Sequence, residues 1–290
     1  MTSVSRPARG QNIGRASITQ PAPHYDYLEY GPGSVVGEHA IAVEKAVAIS
    51  YNGINHAVML ATPEHLEDFI TGFTLTSGLI DDVRAIYGIE LEVGEEAVRA
   101  EVTLSNRAFA ALRARRHSQA GSGGCGLCGV EALEQALPRL PGRAPARLPP
   151  TRHLHGLRER FQAAQTLARA SGAMHAALYV DRQGETRLCR EDIGRHNALD
   201  KLTGACRRNG LDVADGFLAV TSRCGLELIQ KAVRAGAGTL VSLSSPSSLS
   251  VRQARHCGLN LIHQPRHGAP RLYSPAPCGN PPDHPRADPS

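Results

Sequence analysis

The pattern that most constrains the fold is an alternation of short apolar segments with amphipathic segments near the end of the chain. Apolar segments of strand length occupy residues 217–221, 239–243 and 259–263, and segments with helical periodicity lie between them at 226–235 and 248–257. Strands that alternate with helices of about ten residues pair in parallel through right-handed crossovers. The alternation predicts a largely parallel sheet with helices on both faces, which is a three-layer α/β core.

The residues before this stretch extend the same core. They predict a helix over 152–170, a hairpin of strands 174–180 and 185–189, and a helix over 195–208. Asp181-Arg182-Gln183-Gly184 joins the two hairpin strands, and Asp and Gly are typical of tight turns. The fold class is therefore α/β, with a hairpin beside the parallel strands.

A second pattern fills the first half of the chain. Strands are expected at 46–50, 57–60, 89–91 and 98–104, and a basic helix at 106–117. Tyr51-Asn52-Gly53 predicts the tight turn of a hairpin between the first two strands. Thr62-Pro63-Glu64 combines a capping residue, a proline and an acid, and predicts that a helix begins there. These elements form a smaller N-terminal α+β subdomain.

Composition divides the chain into four parts. Residues 1–25 and 275–290 are rich in Pro, Gly, Ser and Arg without apolar periodicity, and they are expected to be disordered tails. The N-terminal subdomain is expected over residues 26–150 and contains a cysteine loop at 118–129, followed by a proline-rich connector. The α/β subdomain is expected over residues 151–274.

Charge and hydropathy limit the classes of function. At 41% hydrophobic and 20% charged residues, the chain has the composition of a globular protein. No apolar run approaches the roughly 18–20 residues of a membrane span, and the first residues lack the apolar stretch of a secretory signal. The net charge of +5 is spread without basic blocks. We expect a cytoplasmic protein that binds neither nucleic acid nor membrane.

Two of the seven cysteines, Cys125 and Cys128, form a C-x-x-C pair in Gly-Gly-Cys-Gly-Leu-Cys-Gly. The odd cysteine count and the wide spacing of the others argue against an extracellular disulfide framework. An arginine-rich helix and a glycine-rich segment precede the pair, and a short helical run at 130–136 follows it. Positive charge and helix N–H groups stabilise a thiolate, which is the nucleophilic form of cysteine.

The spacing of the pair leaves four interpretations open. A structural zinc site needs four ligands, and the sequence has no second C-x-x-C and no closely spaced His pair. A thioredoxin-like dithiol follows a strand, whereas a glycine-rich segment leads in here. The third interpretation is a pair of inert surface cysteines. The fourth, which we favour, is a mobile pair that accepts a sulfur atom as a persulfide and passes it on, because such a carrier must reach both a donor and an acceptor.

Polar residues concentrate at 191–201, where a strand is expected to turn into a helix. They exceed what a helix cap requires, so they predict a rim for a charged ligand or partner. The alternative is a cap by Asp192 with an Asp–Arg pair. His175 alone is more typical of a core histidine. The turns at 221–225 and 244–248 follow predicted parallel strands and carry hydroxyls suited to phosphate, although serine caps are common without a ligand.

Lysine is rare in this arginine-rich chain. Only Lys45, Lys201 and Lys231 are lysines among 32 basic residues. A compositional bias of the genome explains the preference for arginine. Where lysine is retained, the compact ammonium group is a candidate for a specific role, because its hydration and geometry differ from those of a guanidinium group.

Five motifs follow one another along the chain. They are Tyr51-Asn52-Gly53, Thr62-Pro63 through Gly78-Leu79-Ile80, Gly124-Cys125-Gly126-Leu127-Cys128-Gly129, residues 191–201, and Ser222-Arg223 through Gln230-Lys231. In this order they resemble the motifs of the FdhD family of sulfurtransferases, which are needed to make active formate dehydrogenase. The resemblance runs from about residue 40 to residue 274. It implies an α/β fold similar to that of cytidine deaminase.

The resemblance implies a sulfur carrier that takes persulfide sulfur from a cysteine desulfurase. The sulfur is delivered to the molybdenum or tungsten bis-molybdopterin guanine dinucleotide cofactor before this enters formate dehydrogenase. Cys125 matches the cysteine that forms the persulfide, and Cys128 matches its companion. The cofactor-contacting loop of the family falls on Gln264, Pro265, Arg266, His267, Gly268 and Ala269. Its positive charge lies on Arg266 and His267, a departure from the family's usual pattern.

The resemblance also implies the partners. They are a cysteine desulfurase, formate dehydrogenase, the dinucleotide cofactor as a substrate, and a second copy of the chain in a homodimer. No cofactor is expected to be permanently bound. The polar side chains expected where the cofactor meets the cysteine loop are Glu191, Asp192, Arg195 and His196.

Two other functions compete with sulfur transfer. The first is a non-catalytic chaperone that binds and protects the cofactor. The second is a zinc-dependent nucleobase hydrolase, since the implied fold is similar to a deaminase. A deaminase needs a His or Cys, a Pro-Cys-x-x-Cys set and a catalytic Glu. Asp192, His196 and Cys224 stand at the corresponding places here. This set is incomplete, so no metal site is expected.

Overall fold

The computed structural model describes residues 22–120, 140, 142 and 144–275, with the side chains of 115–120 left out. Cys125 and Cys128, most of the cysteine loop at 118–129 and the helical run at 130–136 therefore lie outside the described residues, as do residues 276–290. No helix within the described part of the chain is long and apolar enough to cross a bilayer.

A six-stranded sheet forms the larger core. Its strand order is β12-β11-β10-β9-β7-β8. The strands are β7 (His175–Asp181), β8 (Thr186–Asp192), β9 (Gly216–Val220), β10 (Thr239–Ser242), β11 (Asn260–His263) and β12 (Arg271–Ser274). Strands β9, β10 and β11 pair in parallel, while β7 is antiparallel to both β8 and β9, and β12 is antiparallel to β11. The expected common direction holds for β8, β9, β10 and β11, whereas β7 and β12 run against their neighbours.

Helices cover both faces of this sheet. On one face lie α5 (Arg195–Arg208), α6 (Leu226–Arg234) and α7 (Ser248–Cys257), which bury Leu199, Leu228 and Ala254 against Leu218 and Leu240. On the other face, α3 (Leu157–Ala164) and a 3₁₀ turn (Thr151–Leu154) bury Leu154, Leu157 and Phe161 against Leu178 and Val241. The predicted three-layer α/β core is confirmed.

The predicted helix over 152–170 is broken into shorter pieces. Gly156 adopts a left-handed conformation with φ 62°, and Gln165 is extended with ψ 111°, so α3 is separated from the 3₁₀ turn and from α4 (Leu167–Ser171). Left-handed φ values interrupt the hydrogen-bond ladder of a helix. The helical periodicity of this stretch was predicted correctly, but the breaks at Gly156 and Gln165 were not predicted.

A four-stranded sheet forms the smaller core, in the order β4-β3-β6-β5. Its strands are β3 (Lys45–Tyr51), β4 (Ile54–Ala61), β5 (Ile86–Val93) and β6 (Ala97–Leu104), and α2 follows as Asn106–Ala120. Asn52 and Gly53 have φ values of 45° and 79°, which confirms the tight turn between β3 and β4. Helix α1 (Leu66–Thr76) packs Phe69 and Ile70 against Val47 and Val98 of the sheet.

Two expectations about the N-terminal half were wrong. Helix α1 begins at Leu66 after His65, which adopts φ 54°, rather than at Thr62. Thr62 is instead held by a contact with Asp192, described below. A ribbon of β1 (His24–Leu28) and β2 (Val36–Ala40) was not predicted, and it begins within the segment expected to be a tail.

The two cores meet where α1 crosses α5. A Cβ atom added to Gly72 would lie 1.8 Å from the carbonyl oxygen of Asp200, and one added to Gly204 would lie 1.9 Å from that of Asp68. The helix backbones are thus in direct contact, and a side chain at either position would force them apart. This close crossing fixes the position of α1 against the middle of α5.

Candidate functional site

The carboxyl ends of four strands meet at one edge of the six-stranded sheet. Strand β8 runs in the same direction as β9, because both are antiparallel to β7, and β10 and β11 continue in that direction. The segments that leave this edge are residues 193–194, 221–225, 243–247 and 264–269. Ligands of α/β sheets bind at such carboxyl ends, so the edge is the candidate site.

Asp192, at the end of β8, is a buried structural residue rather than part of a rim. Its Oδ2 atom lies 2.7 Å from the Lys201 Nζ atom, and both side chains have no exposed surface. The carboxylate also accepts hydrogen bonds from Thr62 N at 3.0 Å, Gly194 N at 2.7 Å and Asn197 Nδ2 at 3.0 Å. The expectation that Asp192 faces a ligand was wrong. The alternative of a helix cap was wrong as well, because α5 has no side-chain cap, and the ion pair of Asp192 is with a lysine rather than an arginine.

Lys201 ties the two halves of the molecule together. Besides Asp192, its ammonium group donates to the carbonyl oxygen of Thr62 at 2.8 Å and to that of Glu191 at 3.4 Å. Burial lowers the pKa of Lys201, while the Asp192 carboxylate opposes that shift. A buried charge needs such complete pairing, since an unpaired ion in a protein interior is strongly destabilising.

Lys231 makes a second, largely buried ion pair within the C-terminal half, and Thr76 of the N-terminal half joins it. Its Nζ atom lies 2.9 Å and 2.7 Å from the two carboxylate oxygens of Asp200. Thr76, the last residue of α1, donates to Asp200 Oδ1 at 2.5 Å. Burial raises the pKa of Asp200, although Lys231 and Thr76 both favour its ionised form. The remaining lysine, Lys45, donates to the carbonyl oxygen of Gly94 at 2.9 Å.

Glu191 also has a structural role. Its carboxylate accepts hydrogen bonds from the backbone N–H groups of Thr166, Leu167 and Ala168 at 2.7, 2.9 and 2.9 Å. These groups open α4, so Glu191 caps that helix from a distant strand and offsets its dipole. Its predicted place in a ligand rim was wrong, because its oxygens are already engaged and the residue is buried.

Arg195 and His196 remain accessible at the first turn of α5. The His196 Nε2 atom lies 2.6 Å from Glu227 Oε2 on α6, an approach that is close but poorly aligned for a hydrogen bond. Burial lowers the pKa of His196 against the opposing effect of Glu227. His175, at the start of β7, is half-buried, and burial lowers its pKa as well. These side chains are among the charged and titratable groups that reach the edge.

The serine-rich turn after β10 uses its hydroxyls within the protein. Ser242 Oγ donates to the carbonyl oxygens of Ser222 and Ser244 at 3.0 and 2.6 Å. Ser247 caps α7 by accepting from Ser250 N, and Ser250 Oγ donates to the Cys224 carbonyl oxygen at 2.9 Å. Ser247 therefore acts as a helix cap, as the alternative interpretation predicted, while Ser245 and Ser248 of the same turn are exposed.

The loop predicted to contact the cofactor leaves β11 at the same edge. Gln264 N donates to the Ser242 carbonyl oxygen at 2.9 Å, and Arg158 Nη2 donates to the carbonyl oxygens of Leu243 and Gln264 at 2.8 and 3.2 Å. Pro265 is partly buried, and Arg266, His267, Gly268 and Ala269 continue the loop at the exposed surface or close to it. The loop is thus anchored at its first residue and open beyond it.

Sequence reasoning missed two residues of this region. Arg158 lies in the periodic pattern of α3 and carries no signal of its role, which depends on carbonyl groups 85 and 106 residues away. Glu64 was assigned to a helix start, but it is 9% exposed, and burial raises its pKa while Lys201 lowers it. Neither the contacts of Arg158 nor the burial of Glu64 follows from local sequence.

The described residues bear on whether the protein has a metal centre. Across the described ranges, no group of three or more His, Cys, Asp and Glu residues could hold a metal ion. Cys224 is buried, and this burial raises the pKa of its thiol to about 12. Its thiol is therefore protonated at neutral pH and is a poor ligand and nucleophile.

Comparison with known proteins identifies the family. The sequence model of the FdhD/NarQ family matches residues 42–277. The chain belongs to the FdhD/NarQ family. Among its relatives in that family, the sulfur carrier protein FdhD of Bordetella petrii is 41% identical over 83% of this chain and 87% of the relative. The protein of the same name from Cupriavidus necator is 43% identical over 81% of each chain.

A solved structure shares the fold of this FdhD/NarQ family member. A crystal structure from Desulfotalea psychrophila, named as a formate dehydrogenase accessory protein, superposes with a TM-score of 0.66. The match covers 87% of this chain and 96% of the other, at 21% sequence identity. The similarity therefore supports the mixed α/β architecture described above.

Proposed function

We propose that this chain is a sulfurtransferase that accepts persulfide sulfur from a cysteine desulfurase. It then transfers the sulfur to the molybdenum or tungsten bis-molybdopterin guanine dinucleotide cofactor, which formate dehydrogenase requires. The observation that carries the proposal is the C-x-x-C pair Cys125 and Cys128 inside residues 42–277, the span of the family match. The names of the relatives as sulfur carrier proteins support it.

In the first step, the Cys125 thiolate attacks the terminal sulfur of the desulfurase persulfide. The sulfur–sulfur bond of the donor breaks, its cysteine leaves as a thiolate, and Cys125 holds the terminal sulfur. This exchange involves no net oxidation or reduction. Release of that sulfur as sulfide requires two electrons, and Cys128 supplies them if its thiolate forms a disulfide with Cys125. In this step Cys128 releases the sulfur from Cys125, and a thiol reductant must then reduce the Cys125–Cys128 disulfide before another cycle.

The sheet edge is the proposed place of cofactor contact. The loop of Gln264, Pro265, Arg266, His267, Gly268 and Ala269 is anchored through Arg158 and presents its basic side chains outward. An exposed basic loop beside strand ends suits an anionic dinucleotide. We further propose a cytoplasmic homodimer that meets both a cysteine desulfurase and formate dehydrogenase.

The sulfur-loading step can be tested by mass spectrometry of the intact protein. The wild-type chain and a Cys278→Ser control are incubated with a cysteine desulfurase and L-cysteine. We expect both to gain the mass of one sulfur atom, mapped by peptide analysis to Cys125, and Cys125→Ser to gain none. Sulfur addition to Cys125→Ser at the wild-type level contradicts the proposal, and stoichiometric zinc in the wild-type protein favours the hydrolase.

The chaperone alternative predicts a different result in cells. In a strain that lacks the wild-type protein, Cys125→Ala supports formate dehydrogenase activity if the protein only binds and protects the cofactor. Sulfur transfer predicts that this variant gives no activity while the protein accumulates at the wild-type level. The Cys278→Ser control is expected to restore activity in full.

A further inference from the structure

We propose that His175, Arg195 and Arg223 form a binding site for a phosphate or diphosphate group, separate from the loop after β11. We call these three side chains the basic cluster. His175 begins β7, Arg195 begins α5 after the turn that leaves β8, and Arg223 lies in the turn after β9, so all three lie at the edge described above. The identity of the ligand, the guanine dinucleotide, rests on the proposed function. The proposed binding of a phosphate group to the cluster does not depend on it.

Strand order brings the three side chains together. Strand β7 lies between β8 and β9, so His175 at its start is flanked by the turn after β8 and by the turn after β9. Arg195 follows the first turn, and Arg223 lies in the second. Burial and both guanidinium groups lower the pKa of His175. The lowered pKa favours the neutral imidazole, which can donate or accept a hydrogen bond within the cluster.

The positive charge of the cluster is not neutralised by neighbouring acids. Neither Arg195 nor Arg223 forms an ion pair with any residue that the structure describes. The nearest carboxylates are engaged elsewhere, since Asp192 pairs with Lys201 and Glu227 contacts His196. Arginine binds phosphate oxygens through paired N–H groups, and two arginines suit a doubly charged group.

Two helix N-termini add hydrogen-bond donors beside the cluster. Helices α5 and α6, of 14 and 9 residues, begin after Gly194 and Gly225, and neither has a side-chain cap. Helix α7 differs, because Ser247 caps it. The contact of 2.6 Å between His196 and Glu227 shows that the first turns of α5 and α6 are neighbours. Backbone N–H groups at such ends bind anions, and here they support a site that the basic side chains define.

The cluster and the loop after β11 can hold two parts of one ligand. Strand β9 is separated from β11 by β10 alone. Two strand spacings amount to about 10 Å. A nucleoside diphosphate can span such a distance, with the nucleoside near Gln264 and the phosphates at the cluster. This arrangement assigns phosphate recognition to β8 and β9 rather than to the serine turn after β10.

The test is a calorimetric titration of the purified full-length chain with inorganic pyrophosphate. The proteins compared are the wild type, the double variant Arg195→Gln/Arg223→Gln, and the control Arg182→Gln/Arg187→Gln. The control removes two charges from the β7–β8 turn at the opposite edge of the sheet. Thermal unfolding of all three proteins is measured in parallel, and a pair of single arginine variants is used if the double variant is unfolded.

We expect pyrophosphate binding to weaken by at least about tenfold in the double variant and to stay unchanged in the control. Binding to the wild type should also weaken as salt is added, since the contacts are ionic. The proposal is overturned if the wild type does not bind pyrophosphate, or if the variant and the control bind it equally. If the wild type binds pyrophosphate as expected but gains no sulfur at Cys125 from a cysteine desulfurase, the proposed function is contradicted and the cluster remains supported.

Discussion

Two sets of charged residues around helix α5 lie close together in sequence but differ in burial and in ion pairing. The buried joint consists of the ion pairs Asp192–Lys201 and Asp200–Lys231 with Thr62 and Thr76 from the N-terminal half. The basic cluster of His175, Arg195 and Arg223 is accessible and lacks acidic partners among the described residues. Adjacent polar residues thus divide into a set that joins the molecule and a set that can bind a ligand.

Burial explains the division. Asp192, Asp200 and Lys201 project into the contact between α5 and the N-terminal half, where an unpaired charge would be costly. Arg195 is the first residue of α5, ahead of its buried residues, and lies at the open edge of the sheet. Two of the three retained lysines, Lys201 and Lys231, belong to the joint, where a compact ammonium group fits between carbonyl and carboxylate oxygens. This is the specific role that their rarity indicated.

The largest expected effect comes from removal of one charge of the joint. Lys201→Met leaves Asp192 buried without its counterion, so we expect the free energy of unfolding to fall by about 3–5 kcal/mol. The matched control is Arg99→Gln, which removes the exposed pair with Glu92 and should cost about 0–1 kcal/mol. Urea denaturation measures both. Equal stability of the two variants would contradict the distinction between joint and surface.

A second prediction addresses the helix crossing that supports the joint. Gly204→Ala places a Cβ atom against the carbonyl oxygen of Asp68, and we expect a loss of about 3 kcal/mol as α1 and α5 move apart. Gly88→Ala is the control, since an added Cβ atom there meets nothing within 4 Å. Thermal unfolding compares them. A Gly204→Ala protein as stable as the control would show that the crossing is not close-packed.

The smallest expected effect concerns how the stability of the fold depends on pH. Burial and neighbouring arginines lower the pKa of His65 from 6.5 to about 4, so the folded state binds fewer protons than the unfolded state between these values. Stability should therefore fall as pH drops from about 6.5 to about 4. His65→Asn, which tolerates the left-handed backbone, should flatten this part of the curve by less than about 1 kcal/mol, because the side chain is 48% exposed.

Urea denaturation at a series of pH values measures this effect. His155→Asn, which changes an exposed histidine, is the control, and its curve should follow the wild type. A His65→Asn curve with the wild-type slope would show that His65 does not contribute to acid sensitivity.

Local periodicity predicted most of the elements around the site. Helix α7 was predicted with the bounds it has, Ser248–Cys257, and α5 likewise at Arg195–Arg208. Both helices have an amphipathic face and a defined end, which are local properties. The turn at Asn52 and Gly53 was predicted for the same reason, because only the turn itself determines its positive φ values.

The joint could not be predicted from local sequence. Lys201 meets Thr62 across 139 residues, and Asn197 meets Leu60 across 137. Such pairs depend on how two separate cores dock, which periodicity does not describe. The break in the helix before β7 also depends on a non-local contact, although within one core, since the carboxylate that caps α4 comes from Glu191 more than 20 residues away.

The central claim is that sulfur passes through Cys125 to the cofactor of formate dehydrogenase. The most direct measurement follows radioactive sulfur from labelled cysteine, through a cysteine desulfurase and this chain, into formate dehydrogenase. The account predicts label on the wild-type chain and then on the enzyme-bound cofactor, with neither labelled when Cys125→Ser replaces the wild type. Label that reaches the cofactor at the wild-type rate in the presence of Cys125→Ser would contradict the account.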